Sequence, residues 1–341
     1  MKALNLHGVN DLRYDEVSLP QLEEDEVLLK IRACGICGSD IPRVYDKGTY
    51  HFPTIIGHEF AGQIVKAADK NLLGRKASVF PLLPCGKCSA CEEGQYALCK
   101  YYSYYGSRQN GGMAEFLAVK VKNLCFLPDD IPYEWGAMSE PAAVAYHAFR
   151  KSGAGVGDSI FIYGIGTIGL LIAQWAKAAG VQRIVLAGRT QEKLNLAEKM
   201  GFVSVKVNRI KDIQDISACI EGTGSAEGLE ACLQVAANFG KVVLLGNPEG
   251  NIELSQKHYW QILRKELHLL GTWNSRFSAS HNDWRQAVEG MKSGILDLDS
   301  LITHRFSLAD YKKAFTLMRE KREPYLKVML LIGSDEDENR I

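Results

Sequence analysis

Ser159-Ile160-Phe161-Ile162-Tyr163-Gly164-Ile165-Gly166-Thr167-Ile168-Gly169 (SIFIYGIGTIG) is the stretch whose reading decides the fold. An apolar run, Ser159–Tyr163, reads as a buried strand. It ends in Gly164-x-Gly166-x-x-Gly169, and from Thr167 to Ala179 the apolar spacing is helical. A lone G-x-G-x-x-G says little. Between a strand and a helix it fits the dinucleotide fingerprint, in which backbone and helix N-terminus approach a pyrophosphate. Gly164, Gly166, Thr167, Ile168 and Gly169 are the candidate residues of that turn, and a glycine-rich turn without a ligand is the plainer alternative. Arg183–Ala187 (RIVLA), a helical Gln191–Met200 and Lys241–Leu245 (KVVLL) continue the alternation, which predicts a parallel sheet covered by helices, an α/β unit. The second strand of such a unit ordinarily closes near an acid that binds the adenosine ribose hydroxyls. Here the chain reads Ala187-Gly188-Arg189-Thr190. The missing carboxylate at Gly188 and the cation at Arg189 favour NADP(H) over NAD(H). A solvated surface arginine with NAD(H) as cofactor is the other reading.

The 341 residues carry 40 basic and 40 acidic side chains, for a formal net charge of zero, with 46% hydrophobic and 23% charged residues. At roughly 150 residues per domain this length suggests two domains. Balanced charge argues against nucleic acid or an anionic membrane as the main partner. No apolar run reaches the roughly 18 residues of a membrane-spanning helix. The opening MKALNLHGVNDLRYDE has no signal-peptide pattern, so a cytoplasmic protein is expected. Nine cysteines, an odd number, point to a reducing compartment, where clustered cysteines more often hold metal than pair.

Short β-like runs broken by Gly, Pro and Cys fill the first part of the chain, among them Glu26–Arg32 and Gly62–Lys66. Within it, Cys85-x2-Cys88-x2-Cys91-x7-Cys99 can wrap one Zn²⁺ in a closed thiolate shell, which would make that zinc structural. Free or disulfide-linked cysteines are the alternative. A dispersed set follows: Cys37 in CGICGSD, His58 and Glu59 in GHEFAG, and Glu140 in SEP. Cys, His and Glu together can hold a catalytic zinc with one position left open. Taken singly, a histidine is more often structural and Glu140 suits a helix start. Cys34 and Cys37 also form a CxxC, although no thioredoxin-like pattern surrounds it. Cys34, Cys125, Cys219 and Cys232 read as core residues. Beyond 280 the chain is helical at Asn282–Lys292 and Leu308–Lys321, with a strand at Tyr325–Ile332, and this tail is expected to return to the first domain. The charged end Ser334–Arg340 is expected to fray.

In this order, CGSD at 37–40, GHE at 57–59, the four-cysteine lobe, SEP at 139–141 and GIGTIG at 164–169 resemble the zinc-dependent medium-chain dehydrogenase/reductase family over essentially the whole chain. Glu140 in place of a cysteine resembles its polyol dehydrogenase branch. CGSDIPR (37–43), PLLPC (81–85) and YGSRQNGGMAEF (105–116) resemble the subgroup acting on galactitol phosphate. The resemblance implies a GroES-like β-rich catalytic domain formed by residues 1–150 and 280–341, and a Rossmann domain over 151–279. It implies two zinc ions per chain. Cys37, His58 and Glu140 would ligate the catalytic one, with Glu59 ligating directly or approaching when water leaves. Ser39 would hydrogen-bond the substrate hydroxyl. Leu245-Gly246 and Gly271–Asn274, with Thr272 and Asn274, would border the nicotinamide, and a homodimer or homotetramer is implied.

The expected reaction is hydride transfer between NADP(H), or NAD(H), and a polyol or ketose or its phosphate. Arg43 and Arg108 are candidates for a phosphate group because both lie in the stretches shared with the phosphate-using subgroup. Surface or inter-subunit arginines are the alternative. A dehydrogenase for a secondary alcohol, diol or free sugar alcohol is a second reading, and a non-catalytic nucleotide-binding member of the family a third.

Overall fold

Continuous apolar strands need cover on both faces, and the chain from Pro141 to Ser275 supplies it. Six strands, β1 (Ser159–Tyr163), β2 (Arg183–Gly188), β3 (Val203–Lys206), β4 (Ile216–Glu221), β5 (Ala236–Leu244) and β6 (His268–Gly271), form one sheet in the order 3-2-1-4-5-6, every pairing parallel. This is the doubly wound order, whose strand sequence reverses beside β1 and whose ligands bind at the carboxyl ends of the strands. Ile160, Phe161 and Ile162 of β1 are fully buried. Behind β1 the helix Thr167–Ala178 buries an unbroken run, Gly169–Ala176. The structure, a computed structural model, describes residues 1–333; the charged end 334–340 and the last part of the expected 280–341 segment lie outside the described residues.

One detail departs from the pattern read in the sequence. β5 starts at Ala236, five residues before the expected Lys241, because Ile216 pairs with Ala236 and Ala218 with Lys241 across a bulge. Phe239 sits there at φ 60°, so Asn238-Phe239-Gly240 looks like a turn although the strand runs through it. The Lys265 ammonium donates to the carbonyls of Leu233 (3.0 Å), Gln234 (2.8 Å) and Ala236 (2.7 Å). It caps the C-terminal end of the helix Ala226–Val235, where carbonyls lack helical partners.

The other compact unit comprises, of the described residues, Met1–Glu140, Arg276–Lys292 and 297–333. The division falls at Glu140, in the first turn of the helix Ser139–Ser152. The unit's main sheet runs in the order Leu124–Phe126, Lys76–Val79, Glu59–Lys66, Glu26–Ile36, Lys327–Leu331, Ile302–Ser307, with Phe116–Lys120 also paired to Glu26–Ile36. Leu29, Ile31, Ile64, Val79, Val119, Phe315, Val328 and Leu330 form its core. The late strand lies antiparallel to Ala33–Ile36, and Gly35 pairs with Glu59 on one side and Met329 on the other. That register brings Glu59 and Lys327 to one point. Among the described residues no helix is long and apolar enough to cross a membrane.

Candidate metal centres and cofactor turn

The four-cysteine lobe is a loop around sulfur. Cys91 and Cys99 are buried, Cys85 and Cys88 half-buried, and their four Sγ atoms lie within 4.8 Å of one another. Cys88–Cys91 measures 3.5 Å and Cys85–Cys91 3.9 Å. All four are free thiols, and the spacing is near the edge of about 3.8 Å expected for a tetrahedron with Zn–S of about 2.3 Å. The backbone N–H of Lys87 lowers the Cys85 thiol to about 6, whereas burial pushes Cys91 up to about 12. A divalent cation relieves that conflict by stabilising every thiolate at once. The donor set fits a structural zinc.

A second group is assembled from the ends of two strands. Cys37 follows the strand Glu26–Ile36, and His58 and Glu59 stand where Glu59–Lys66 begins. The ligand atoms of Cys37, His58 and Glu59 lie within 4.8 Å of one another. Thiolate, imidazole and carboxylate are the donor types of a zinc site. The His58 Nδ1 lies 3.6 Å from Asp40 Oδ1, too far for a hydrogen bond, and is buried without a hydrogen-bond partner. Burial opposes charge on His58, but Asp40 and Cys37 outweigh it and raise its pKa well above the ordinary value. Asp40 and Cys37 thus favour positive charge at the imidazole.

Glu140 lies outside that tight group. Burial pushes its carboxyl up to about 7, His58 pulls it down and Glu59 pushes it up, so it shares their electrostatic environment. The structure thus gathers Cys37, His58 and Glu59, with Glu140 beside them, where the family resemblance names Cys37, His58 and Glu140 as ligands with Glu59 in attendance. Glu59 is also engaged elsewhere: Lys327 Nζ donates to its Oε2 at 2.5 Å, both side chains almost fully buried. Burial opposes charge on Lys327, but Glu59, Cys37 and Glu140 more than offset it. Gly35 is required here, because a Cβ would fall 2.3 Å from Glu59 Oε2 and 3.3 Å from the Lys327 stem.

Two partners escaped the sequence reading. Asp40, fully buried, accepts from the Cys37 N–H at 3.0 Å and from Arg43 Nη1 at 2.6 Å. Burial resists its ionisation, yet His58, Arg43 and that N–H hold its carboxyl below the usual range. Its place in CGSD was a signal that could have found it. Lys327 carried no signal, being one lysine in an otherwise apolar strand. Arg43, a candidate for substrate phosphate, is thus turned onto Asp40. The Arg108 guanidinium lies over the rings of Tyr50 and Tyr102. Ser39 is exposed two residues beyond Cys37.

In the α/β unit the candidate cofactor residues converge on one end of the sheet. Gly164 has φ 120°, and a Cβ on Gly169 would fall 2.1 Å from Gly164 O, so the turn can close only with glycine there. Gly166 differs: a Cβ would meet nothing within 4 Å. The protein's packing does not demand glycine at 166, which fits a turn left open for a pyrophosphate. Thr167 and Ile168 open the helix. Leu245 and Gly246 donate to Glu221 O at 2.9 Å, and Thr272 N donates to Leu244 O at 3.1 Å. Thr272 Oγ1 is buried without a partner, and Asn274 stands at φ 56°. Gly188 has a further reason to be glycine, because a Cβ would fall 2.8 Å from Ile165 Cδ1. Arg189 is exposed beside it. Burial raises the Tyr163 phenol, with Glu227 adding to the rise and Arg189 opposing it, so an acid from another element shares this corner.

Residues 23–129 match the family model described as alcohol dehydrogenase GroES-like domain, and 167–293 that described as zinc-binding dehydrogenase. The chain belongs to the zinc-dependent medium-chain dehydrogenase/reductase family and is an NAD(P)-dependent oxidoreductase of the alcohol and polyol type. It is 34% identical over 325 residues to galactitol 1-phosphate 5-dehydrogenase of Escherichia coli K12, covering 90% of this chain and 94% of that protein. The crystal structure of galactitol-1-phosphate dehydrogenase from Escherichia coli superimposes with a TM-score of 0.91 at 32% identity, covering 97% of this chain and 100% of that one. A zinc-binding dehydrogenase of Sinorhizobium meliloti 1021 bound to NADP gives 0.88 at 28% identity, covering 97% and 98%. An alcohol dehydrogenase of Escherichia coli CFT073 complexed with NADH gives 0.87 at 26%, covering 97% and 99%.

Proposed function

We propose that the protein moves a hydride between NADP(H) and the carbinol carbon of a polyol phosphate, reducing the matching ketose phosphate in reverse. Two zinc ions per chain serve it: one structural, held by Cys85, Cys88, Cys91 and Cys99, and one catalytic, held by Cys37 and His58 with Glu140 and Glu59 as the available carboxylates. The observation that carries this reading is the buried Cys37–His58–Glu59 group with its unpartnered imidazole nitrogen. When bound, the catalytic zinc supplies Lewis-acid polarisation of the substrate oxygen. The chain does the rest. Asp40 holds the Cys37 backbone and faces His58, Lys327 holds Glu59 to one side, and the Ser39 hydroxyl is accessible to receive the carbinol proton and pass it outward. The open turn at Gly166 receives the pyrophosphate on the N-terminus of the helix Thr167–Ala178.

NADP(H) is favoured because no carboxylate closes β2, and Arg189, exposed next to Gly188, has a guanidinium that can pair with a 2′-phosphate. The relatives complexed with NADP and with NADH mark both cofactors as compatible with this fold. The phosphorylated substrate draws support from the galactitol 1-phosphate relative. The protein acts in the cytoplasm, as a homodimer or homotetramer.

The test is reduction of a panel by the zinc-loaded protein with NADPH and with NADH: tagatose 6-phosphate, other ketose phosphates, the free ketoses and acetoin. Turnover confined to ketose phosphates with NADPH supports the reading. Equal or better turnover of acetoin or free ketoses assigns the protein to simple diols or free polyols instead.

A further inference from the structure

Arg108 is an arginine whose charge nothing in the described structure neutralises. Its guanidinium carbon lies 4.2 Å from the ring centre of Tyr50 and 4.6 Å from that of Tyr102. Nη1 donates to Tyr102 O at 2.9 Å and Nη2 to the Tyr50 hydroxyl at 3.1 Å. Two rings therefore lie within cation–π distance of the guanidinium, and two of its five N–H groups are used. Among the described residues no carboxylate lies within ion-pair range of it. Arg43, Arg13 and Arg305 are each paired with an acid, Asp40, Asp11 and Glu134, whereas Arg75, Arg264 and Arg319, like Arg108, lie over aromatic rings. Tyr50 is 70% exposed, so the cage is open to solvent on one side. A guanidinium fixed in orientation, with free edges and no counter-charge, is a preorganised fork for an anion.

The turn that carries Arg108 is locked to the candidate catalytic centre. Gly106, at φ 81°, has Gly57 O 2.5 Å from where a Cβ would be, and Gly111 has it 2.1 Å away. Gly112 N donates to Gly57 O at 2.9 Å, and Arg108 N to Tyr104 O at 2.9 Å. Gly57 directly precedes His58. Tyr104 meets the His58 ring edge-on at 5.7 Å, and Tyr102 meets Tyr104 at 6.4 Å. A row of rings thus leads from His58 to Arg108, and the glycine contacts with the Gly57 backbone fix its register.

We infer that Arg108, caged by Tyr50 and Tyr102, binds the phosphoryl group of the substrate, while the carbinol carbon lies at the Cys37–His58 end of the row. Resting on the dehydrogenase reading above, it adds the residues that select a phosphorylated substrate. Arg43, committed to Asp40, is not part of that selection.

The experiment measures kcat and KM of the zinc-loaded protein for tagatose 6-phosphate and for tagatose, in the parent, Arg108→Gln, Arg108→Lys and Tyr102→Leu. Losing a charge-assisted contact should lower the ratio of kcat/KM, phosphorylated over unphosphorylated, by about 10- to 100-fold in Arg108→Gln, mostly through KM. Arg108→Lys should recover part of it. Tyr102→Leu should lower the ratio by about 3- to 10-fold by loosening the cage. Inorganic phosphate should compete with tagatose 6-phosphate in the parent and at least tenfold more weakly in Arg108→Gln. A ratio unchanged in Arg108→Gln, with phosphate inhibition intact, overturns the anion role and leaves the dehydrogenase reading standing. A parent protein that transfers hydride to neither sugar, nor to any other member of the ketose panel, overturns that reading itself.

Discussion

Replacing Lys327 by Met tests the ion pair under the candidate catalytic centre. The Lys327 ammonium lies 2.5 Å from Glu59 Oε2, with side chains 5% and 2% exposed. The substitution keeps the stem and deletes the charge, leaving a carboxylate buried beside Gly35, where there is no room for a side chain to take over. Removing one partner of such a pair costs roughly 3–5 kcal/mol, because the other charge stays desolvated. At about 2–4 °C per kcal/mol for a unit of this size, the melting transition of the catalytic unit should fall by about 6–20 °C. Scanning calorimetry of chelated protein reads this directly. In zinc-loaded protein the loss should be smaller, since Glu59 can turn to the metal, and the double variant Glu59→Gln with Lys327→Met should recover part of it because no charge is left unpaired. A chelated Lys327→Met protein melting within 2 °C of the parent, or a double variant showing simple additivity, refutes the reasoning.

Cys88→Ser should remove one zinc per chain and loosen the lobe, with metal analysis showing the other ion retained. Arg189→Ala should raise KM for NADPH by about 10- to 100-fold, the loss of a charge-assisted contact, and so shift preference toward NADH in steady-state kinetics. Lys265→Met should lower the melting transition of the α/β unit by an amount equivalent to about 1–3 kcal/mol, since three carbonyls lose their donor.

Local patterns carried most of the fold. Ser159–Gly169 folds as strand, turn and helix because burial on both faces, three glycines and helical spacing all act within eleven residues. The late strand was legible as Tyr325–Ile332 and observed as Lys327–Leu331, but its lysine was not legible as a partner of Glu59, because the two stand 268 residues apart and meet only through sheet register. Motif position suggested Arg43 and Arg108 equally for an anion. Only the fold separates them, by turning Arg43 onto a buried acid and leaving Arg108 without an acid partner among the described residues. Gly188 was readable as a missing acid, while its close approach to Ile165 arises only in the folded chain. Cys34, beside Cys37 in a CxxC, and the isolated Cys125, Cys219 and Cys232 are buried, as core residues were expected to be.

Zinc content measured together with hydride transfer in the parent and in Cys37→Ser tests the account most directly. The parent should hold two zinc ions per chain and reduce a ketose phosphate with NADPH. Cys37→Ser should hold one, still bound by Cys85, Cys88, Cys91 and Cys99, and show no turnover. Equal zinc content in both proteins, with activity retained in Cys37→Ser, would contradict it.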